Sequence, residues 1–407
     1  MKFKDYPISK VIKSQIKTLG WVRPTDIQFK AIKPILEGED VLAIAQTGTG
    51  KTASFVIPTL NAIHNELEKN EFHFVRCLVM VPTRELAVQI QEVFEEVGKE
   101  TKVRSRALLG GVEQEDQIED LKNGVDVVIS TPGRLFDLCS QGFLQLDKLQ
   151  TLVLDEADHM LDLGFVKDIR DLMRHIPQKR QTLFFSATIN KEIKKIAYDL
   201  VRNAIRIQIS PKNPVAKNID HAVAHVEMDD KRFFLENIIK ENAEKKILVF
   251  VRTKVRAERV VKAMERVAIT SKTIHGDVDQ KARFEILNEF KKDDLKILIT
   301  TDVAARGIDI KGVHAVINYD LPEQPDNYVH RVGRTGRGKD KGFAISFCSE
   351  DELPLLVEIE EYLGHEIEVY DLSKTDYKTI IQDSDDGSND WKKLIEEENE
   401  RLGNKWD

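Results

Sequence analysis

Cysteine is scarce in this 407-residue sequence, and its scarcity excludes several kinds of protein. The three cysteines stand at positions 77, 139 and 348, and none has CxxC or CxxH spacing. An odd number of widely separated cysteines argues against a disulfide framework and against a zinc site. It is typical of proteins in a reducing compartment, so we expect a cytoplasmic location.

Long apolar runs are also lacking. The longest runs have five residues (Val41–Ala45, Cys77–Val81 and Ile247–Val251), whereas a membrane-spanning helix needs about 20. The first ten residues, MKFKDYPISK, contain no apolar core of the kind that secretory signals have. The sequence therefore predicts a protein without a membrane span or a secretory signal.

Excess positive charge, the usual mark of a nucleic-acid partner, is missing from the chain as a whole. The formal net charge is −8, but residues 350–407 alone contribute 19 acidic and 6 basic residues. The other 349 residues hold 55 basic and 50 acidic residues, a net charge of +5. Most of the chain can therefore still present a basic face. We predict that residues 371–407 form an acidic, flexible tail.

Short apolar runs recur along the chain and indicate two α/β domains. Each run is continuously apolar, as expected of strands buried on both faces of a parallel sheet. The predicted strands are Val41–Ala45, Arg76–Val81, Val125–Ser130, Thr151–Leu154 and Thr182–Phe185, then Lys246–Phe250, Ser271–Ile274, Lys296–Thr300, Ala315–Asn318 and Gly342–Phe347. Helical periodicity between them, as in Glu85–Val97, completes βαβ units.

A segment rich in proline and asparagine separates the two halves. Residues 210–220 (SPKNPVAKNID) contain few large apolar residues and predict a linker. The predicted domains are therefore residues 1–209 and 221–370, with the tail from residue 371 onward.

The strongest motif is AQTGTGKT at positions 45–52, which follows an apolar strand and precedes a helical pattern. That is the context of a phosphate-binding loop. Gly48 and Gly50 let backbone N–H groups converge on phosphate oxygens. Lys51 can reach the β- and γ-phosphates, and Thr52 can ligate Mg²⁺. Alanine at position 45 departs from the usual glycine, and the alternative is a glycine-rich turn with a surface lysine.

The tetrapeptide DEAD at positions 155–158 follows the predicted strand Thr151–Leu154. A carboxylate at the C-terminal end of a buried strand can face a ligand at the edge of the sheet. Asp155 would hold Mg²⁺ through water, and Glu156 would orient or deprotonate an attacking water molecule. Alone, such a tetrapeptide is more often a solvated loop, but the phosphate loop upstream favours the catalytic interpretation.

A third motif, HRVGRTGR at positions 330–337, holds three arginines and two glycines. Arginines neutralise charge on a transferred phosphoryl group. Glycines let the backbone approach closely. The stretch could also be a basic loop that binds nucleic acid, or it could do both.

Taken together, the motifs make the chain resemble the DEAD-box RNA helicases of superfamily two. The resemblance covers roughly residues 1–370 and depends on an ordered set of motifs. Besides the three above, they are GWVRPTDIQ (20–28, the Q motif, with Phe3 as its upstream aromatic), PTRELA (82–87), GG (110–111), TPGR (131–134), SAT (186–188), VFVRT (249–253), HGD (275–277), QKAR (280–283) and TDVAARGID (301–309). Asp26 departs from the family's usual proline. The resemblance implies two tandem RecA-like (P-loop NTPase) domains.

The resemblance also implies an ATP and Mg²⁺ site. Gln28 would read adenine, since a primary amide offers a donor and an acceptor to one base edge. Trp21 or Phe3 would pack near the base, with core packing as an equal alternative. The implied ATP-binding residues are Trp21, Gln28, Gln46, Thr47, Gly48, Thr49, Gly50, Lys51, Thr52, Gly307 and Asp309. The implied catalytic residues are Lys51, Asp155, Glu156, Arg334 and Arg337, with the two arginines as arginine fingers.

For RNA, the resemblance implies contacts to phosphates and sugars, which carry no base code. The implied RNA-binding residues are Thr83, Arg84, Gly111, Thr131, Arg134, Arg252, Gly276, Arg283 and Thr301. For Thr83 and Thr301 a local loop hydrogen bond is the alternative. The residues implied to couple the two sites are Asp158, Ser186, Thr188 and His330, of which His330 could equally be a satisfied cleft histidine.

The implied function is that of a monomeric ATP-dependent RNA helicase. ATP and single-stranded RNA would close a cleft between the domains, and closure would pry apart a short duplex. One alternative is an ATP-gated RNA clamp that binds a protein partner through the acidic tail. The other is a DNA helicase or translocase, against which the Q motif and the literal DEAD sequence argue.

Overall fold

The computed structural model describes residues 2–46, 48–209, 215, 218–305, 308, 312–336, 341–371 and 373–384. The chain divides into two compact units between Pro211 and Lys212. Each unit contains a seven-stranded sheet, and every strand pair among the described residues is parallel. The predicted architecture of parallel sheets flanked by helices is therefore confirmed.

The first unit has the strand order β3-β4-β2-β5-β6-β1-β7. Its strands are β1 (Val41–Ala45), β2 (Cys77–Met80), β3 (Ser105–Leu108), β4 (Val127–Ser130), β5 (Thr151–Leu154), β6 (Gln181–Ser186) and β7 (Ile205–Ile209). Its helices are α1 (Lys10–Thr18), α2 (Asp26–Leu36), α3 (Lys51–Leu67), α4 (Arg84–Gly98), α5 (Glu115–Asn123), α6 (Pro132–Ser140), α7 (Ala157–Asp162), α8 (Val166–His175) and α9 (Lys191–Leu200), preceded by a 3₁₀ turn at Phe3–Asp5.

The continuous apolar runs of this unit arise because the sheet is covered on both faces. In β1, residues 41, 43 and 45 belong to one hydrophobic cluster, while residues 42 and 44 belong to a second cluster. Successive side chains of a strand point to opposite faces, so each face needs its own apolar set. All five residues of β1 are accordingly buried.

The second unit repeats this plan, with the strand order β10-β11-β9-β12-β13-β8-β14. Its strands are β8 (Ile219–His225), β9 (Ile247–Phe250), β10 (Ser271–Ile274), β11 (Ile297–Thr300), β12 (Ala315–Asn318), β13 (Gly342–Cys348) and β14 (Glu368–Val369). Its helices are α10 (Lys231–Glu241), α11 (Lys254–Arg266), α12 (Gln280–Lys291), α13 (Asp302–Ala305), α14 (Pro325–Val332), α15 (Leu353–Leu363) and α16 (Lys374–Gln382), with a 3₁₀ turn at Glu350–Glu352.

Both ends of the second unit differ from the sequence prediction. The predicted linker, residues 210–220, lies largely outside the described residues, but its last two residues already belong to β8. The predicted tail begins with the helix α16, on which Tyr377 and Ile380 pack against the core of the second unit. These two apolar side chains bind residues 374–382 to the domain, in spite of the polar composition around them. Residues 385–407 lie outside the described part of the chain.

The three cysteines, Cys77, Cys139 and Cys348, are free thiols, and burial raises the pKa of the Cys139 thiol to about 11. Over the described residues, we find no helix with the length and apolar character required to span a membrane.

Candidate active site

The candidate residues of the first unit lie along one edge of its sheet. Parallel strands end at the same edge, and the loops after them carry these residues. Three neighbouring strands, β3, β4 and β2, are followed by the RNA candidates Gly111, Thr131 and Thr83. The next three, β5, β6 and β1, are followed by the nucleotide candidates around Asp155, Thr188 and Lys51. Strand order thus separates the RNA candidates from the nucleotide candidates, and we call these two parts of the edge the RNA half and the nucleotide half.

The phosphate loop joins β1 to the N-terminus of α3. Gly48 and Gly50 have φ angles of +79° and +91°, a region that glycine enters without a steric penalty. A Cβ atom at Gly50 would lie 2.5 Å from Nε2 of Gln28, so this position also lacks room for a side chain. Thr49 donates its hydroxyl to the carbonyl oxygen of Gln46 at 2.7 Å, which closes the loop on itself.

Lys51 and Asp155 form the charged centre of the nucleotide half. Lys51 is 6% exposed, and its ammonium group has no hydrogen-bond partner among the described residues. Asp155, at the end of β5, is 2% exposed. Burial raises the pKa of the Asp155 carboxyl to about 6, although the nearby charge of Lys51 opposes this rise. Both groups are thus desolvated without being fully compensated.

These two groups fit the nucleotide and Mg²⁺ that the motifs imply. A buried ammonium without a partner requires an anion, and phosphate oxygens at the mouth of the loop would supply it. A buried carboxylate with a raised pKa gains most from a nearby cation, and Mg²⁺ prefers oxygen ligands. Thr52, a half-buried residue directly after Lys51, would offer its hydroxyl as a second oxygen ligand.

Glu156 has an unusual backbone conformation for its residue type. It precedes α7 with φ +51° and ψ +49°, in the left-handed region that non-glycine residues rarely enter. Such strain persists where the surrounding structure holds it, and it is concentrated at functional sites. Its backbone N–H donates to Oδ1 of Asp155 at 3.0 Å, so the Asp155 carboxylate is held against the backbone that carries Glu156.

Asp158 ties the DEAD segment to the loop after β6. Its Oδ2 atom accepts hydrogen bonds from the backbone N–H of Ala187 and Thr188 at 3.0 and 2.9 Å. It also accepts the Thr188 hydroxyl at 3.1 Å. The Ser186 hydroxyl instead donates to the Thr188 carbonyl oxygen at 2.8 Å. The link of Ser186 to the DEAD segment therefore passes through Thr188.

Gln28 is oriented by hydrogen bonds at both ends of its amide. Oε1 accepts from the backbone N–H of Thr25 at 3.0 Å, and Nε2 donates to the Gly50 carbonyl oxygen at 3.1 Å. An amide has two N–H groups and two acceptor lone pairs, so these bonds to described residues leave one of each for a base. Its position beside Gly50 connects the Q motif to the phosphate loop.

The two aromatic candidates for base stacking differ in accessibility. Phe3 is 3% exposed and belongs to the hydrophobic core, so core packing is the correct interpretation for this residue. Trp21 is half-buried beside it, with ring centroids 6.5 Å apart. Trp21 therefore remains a candidate for contact with a base.

The RNA half of the first sheet edge brings together Arg84, Gly111 and Arg134. A Cβ atom at Gly111 would lie 2.6 Å from Nη1 of Arg84, and φ of Gly111 is +73°. Nη2 of Arg134 donates to the Val112 carbonyl oxygen at 2.9 Å. Thr83 accepts the Leu86 N–H at 3.3 Å and caps α4, which is the local role that the sequence left open.

Arg252, Gly276 and Thr301 occupy corresponding places in the second unit. They follow β9, β10 and β11, three neighbouring strands of its sheet. Gly276 is exposed, and Arg252 and Thr301 are half-buried. Arg283 differs, because it is 9% exposed and donates from Nη2 to the Ala304 carbonyl oxygen at 2.7 Å. That bond anchors α12 to α13, so Arg283 also has a structural role.

The motif HRVGRTGR (residues 330–337), called the arginine segment below, begins in the last turn of α14. Arg334 is 7% exposed, and its Nε donates to the His330 carbonyl oxygen at 3.2 Å. Gly336 has φ +63°, and a Cβ atom added to it would lie 2.6 Å from the Ile219 side chain. A Cβ atom added to Gly342 would lie 2.4 Å from the backbone nitrogen of Gly336. Asn218 donates its side-chain amide to the Gly336 carbonyl oxygen, and its own carbonyl accepts the Gly342 N–H at 2.9 Å.

Some site residues escaped sequence analysis, and some lie outside the described residues. Arg331 is 1% exposed and makes two bonds to Asp302, at 2.6 and 2.7 Å. This buried pair organises the second unit, and the motif gave no sign that Arg331 differs in role from its neighbours. The candidates outside the described residues are Thr47, Gly307, Asp309 and Arg337.

Comparison with known proteins identifies similar chains. The family model described as DEAD/DEAH box helicase matches residues 25–196, and the model described as Helicase conserved C-terminal domain matches residues 230–339. ATP-dependent RNA helicase DbpA of Bacillus subtilis is 38% identical over 366 residues, which cover 90% of this chain and 75% of the relative. ATP-dependent RNA helicase RhlB of Shewanella amazonensis is 39% identical over 372 residues, 90% of this chain and 85% of the relative.

Solved structures show the same similarity in three dimensions. Dbp5 of S. cerevisiae, bound to RNA and ADP BeF3, superposes with a TM-score of 0.82 at 30% identity. The match covers 93% of this chain and 99% of the Dbp5 chain.

Proposed function

The chain belongs to the DEAD-box family of ATP-dependent RNA helicases, and on that premise we propose an RNA-stimulated ATPase that remodels short RNA duplexes. The observation that carries this proposal is the buried Lys51 ammonium, without a partner among the described residues, near the desolvated carboxyl of Asp155. A pair in this state is suited to a phosphate group and its metal ion.

Within the nucleotide half, each residue has a task that its environment supports. Lys51 binds the β- and γ-phosphates, and Gln28 orients the base with its remaining donor and acceptor. Glu156 orients the attacking water molecule and accepts its proton. Thr52 and, through water, Asp155 would hold a Mg²⁺ ion, which when bound supplies positive charge to the phosphate oxygens.

RNA binding uses the other half of the sheet edge and its counterpart in the second unit. Arg84, Arg134 and Arg252 are suited to phosphates, and backbone beside Gly111 and Gly276 is suited to close approach. Contacts of this kind do not read bases, so binding is independent of sequence. Contacts to 2′-hydroxyl groups favour RNA over DNA.

Coupling between the two ligands follows from the Asp158 contacts. Asp158 connects the segment that carries Asp155 and Glu156 to the Thr188 loop. We propose that ATP and RNA together draw the two units into a closed state, in which Arg334 and Arg337 reach the γ-phosphate. Each ligand must then raise the affinity for the other by the same factor. Hydrolysis reopens the closed state and releases the RNA.

The test is steady-state ATP hydrolysis by the full chain with single-stranded RNA, with DNA of the same sequence, and without nucleic acid. We expect strong stimulation by RNA alone, followed by strand separation of a short duplex in the presence of ATP. Equal stimulation by DNA would contradict the RNA assignment and favour a DNA translocase. Negligible turnover combined with ATP-dependent retention on RNA would favour the clamp.

A further inference from the structure

A buried cluster of five charged side chains lies beside the candidate RNA residue Arg252. Its most buried members, Lys231, Glu352 and Asp320, have side chains that are 0%, 2% and 3% exposed. Arg252 and Arg256 keep 32% and 28% of their side chains exposed. The cluster therefore extends from the interior of the second unit to the surface after β9.

Glu352 is the residue that joins the interior to the surface. Its Oε1 atom accepts Nη2 of Arg252 at 2.8 Å and the backbone N–H of Leu321 at 3.1 Å. Its Oε2 atom accepts Nζ of Lys231 at 2.5 Å, together with the N–H and hydroxyl of Ser349 at 3.1 and 3.2 Å. Five donors hold this carboxylate, so it has little freedom to reorient.

Asp320 holds the backbone of the same arginine. Its Oδ2 atom accepts the Arg252 N–H at 3.0 Å, while Arg256 donates to the carboxylate at 3.1 to 3.3 Å. Burial favours a raised pKa for Asp320, but the bonds from Arg256 and from the Arg252 N–H hold its pKa below the usual value. Arg252 is thus fixed at its main chain by Asp320 and at its guanidinium by Glu352.

The charges of the cluster do not cancel. Three cations face two carboxylates, so the cluster has a net charge of +1, and the excess lies toward the exposed arginines. A phosphate of a bound strand would balance it. A purely structural ion cluster of this kind gains little over an apolar core. It also gives no reason for a guanidinium that is one-third exposed at the sheet edge that carries Gly276 and Thr301.

We propose that Glu352 is a positioning residue for RNA binding, which orients the Arg252 guanidinium toward a phosphate while Lys231 neutralises Glu352 from the interior. This inference rests on the proposed function, because it requires that Arg252 contacts RNA. Glu352 lies 100 residues from Arg252 in sequence and belongs to none of the helicase motifs.

The experiment measures binding of a labelled oligouridylate to the full chain with ADP and beryllium fluoride, over a series of salt concentrations. Arg252→Ala should raise the Kd for RNA about tenfold and reduce the salt slope by about 0.7, the share of one phosphate contact. Glu352→Gln should produce a similar rise in Kd and a similar loss of slope. The double variant should be no weaker than Arg252→Ala alone.

Glu352→Gln leaves the buried Lys231 ammonium with the Asp320 carboxylate at 3.9 Å but without its bond to Glu352, so a second variant controls for misfolding. Lys231→Met combined with Glu352→Gln removes both charges of that bonded pair, and its thermal unfolding should stay close to that of the parent. If positioning is the role of Glu352, RNA binding by this variant stays as weak as that of Glu352→Gln. Recovery of parental affinity would overturn the proposal.

Other outcomes would distinguish the positioning role of Glu352 from the RNA contact of Arg252. Additive losses in the double variant, or tighter RNA binding by Glu352→Gln, would overturn the positioning role while leaving Arg252 as an RNA contact. An unchanged Kd and slope for Arg252→Ala would remove the Arg252 contact, and with it this inference. RNA-stimulated hydrolysis by that variant would show that the proposed function nevertheless stands.

Discussion

Gly50 is subject to two independent restrictions. Its φ of +91° disfavours any side chain, and a Cβ atom would lie 2.5 Å from Nε2 of Gln28. Gly50→Ala should therefore displace Gln28 and raise the Kd for ATP at least about tenfold, a loss of roughly 1.4 kcal/mol. Gly38→Ala is a matched control, because Gly38 has φ +84° with no atom within 4 Å of the added Cβ. Isothermal titration calorimetry with ATP would give the Kd of both variants. Equal rises in Kd would mean that backbone strain, and not the contact with Gln28, weakens ATP binding.

Asp155 makes stability depend on pH in the absence of nucleotide. Burial raises the pKa of the Asp155 carboxyl from its ordinary value of 3.8 to about 6, so the folded chain binds the proton more tightly than the unfolded chain. Stability therefore falls as pH rises through this interval, by up to about 3 kcal/mol. Asp155→Asn should raise the unfolding temperature above pH 7 and have no such effect near pH 4. The exposed Asp147→Asn is the control, and a pH-independent effect of Asp155→Asn would contradict the prediction.

Motif residues of the site could be predicted from sequence, but buried partners could not. Lys51, Asp155 and Gln28 stand at fixed spacings from glycines and strands, and the structure places them together. Lys231 and Glu352 are 121 residues apart, and their contact depends on the packing of α10 against the loop after β13. Local sequence contains no signal for such a pair.

At the scale of elements, α16 belongs to the second domain despite its polar sequence. The Tyr377 ring lies 4.8 Å from that of Phe234, and its hydroxyl donates to Asp230 at 2.8 Å and accepts the Glu227 N–H at 3.1 Å. Tyr377→Ala should cost about 2 kcal/mol, which corresponds to a decrease in unfolding temperature of about 4–8 °C. Lys378→Ala, on the exposed side of α16, should leave the temperature unchanged in the same calorimetric scan.

The same packing decides where the chain can be shortened. Removal of residues 385–407 leaves Tyr377 and its partners in place, whereas removal from residue 371 deletes Tyr377. We expect the first truncation to retain parental stability and the second to unfold at a lower temperature. Equal unfolding temperatures would mean that α16 adds nothing to the domain.

Strands were predictable where the sheet is covered on both faces. The inner strands β1, β2, β5 and β9 are short apolar runs, and the sequence located each of them. Of the four edge strands, β3, β7 and β14 escaped prediction, because a partly exposed strand needs apolar residues on one face alone, whereas β10 was predicted as Ser271–Ile274. β8 (IDHAVAH) has neither a continuous apolar run nor a regular alternation, and it begins within the predicted linker, which explains its omission.

At the scale of the whole molecule, the proposed mechanism requires a residue of the second unit to act on ATP bound by the first. Arg334→Ala should lower RNA-stimulated kcat by about a thousandfold, as for other arginine fingers, while ATP binding to the first unit changes little. Arg259→Ala, an exposed arginine on α11, is the control. Hydrolysis at the parental rate by Arg334→Ala would exclude the finger role.

The packing of Asn218 and Ile219 against Gly336 and Gly342 has a practical consequence for protein engineering. The backbone that enters the second unit contacts the backbone that leaves the arginine segment, with no side chain between the two glycines to absorb a displacement. An inserted fluorophore site, affinity tag or lengthened connector at residues 218–219 would therefore displace the arginine segment as well.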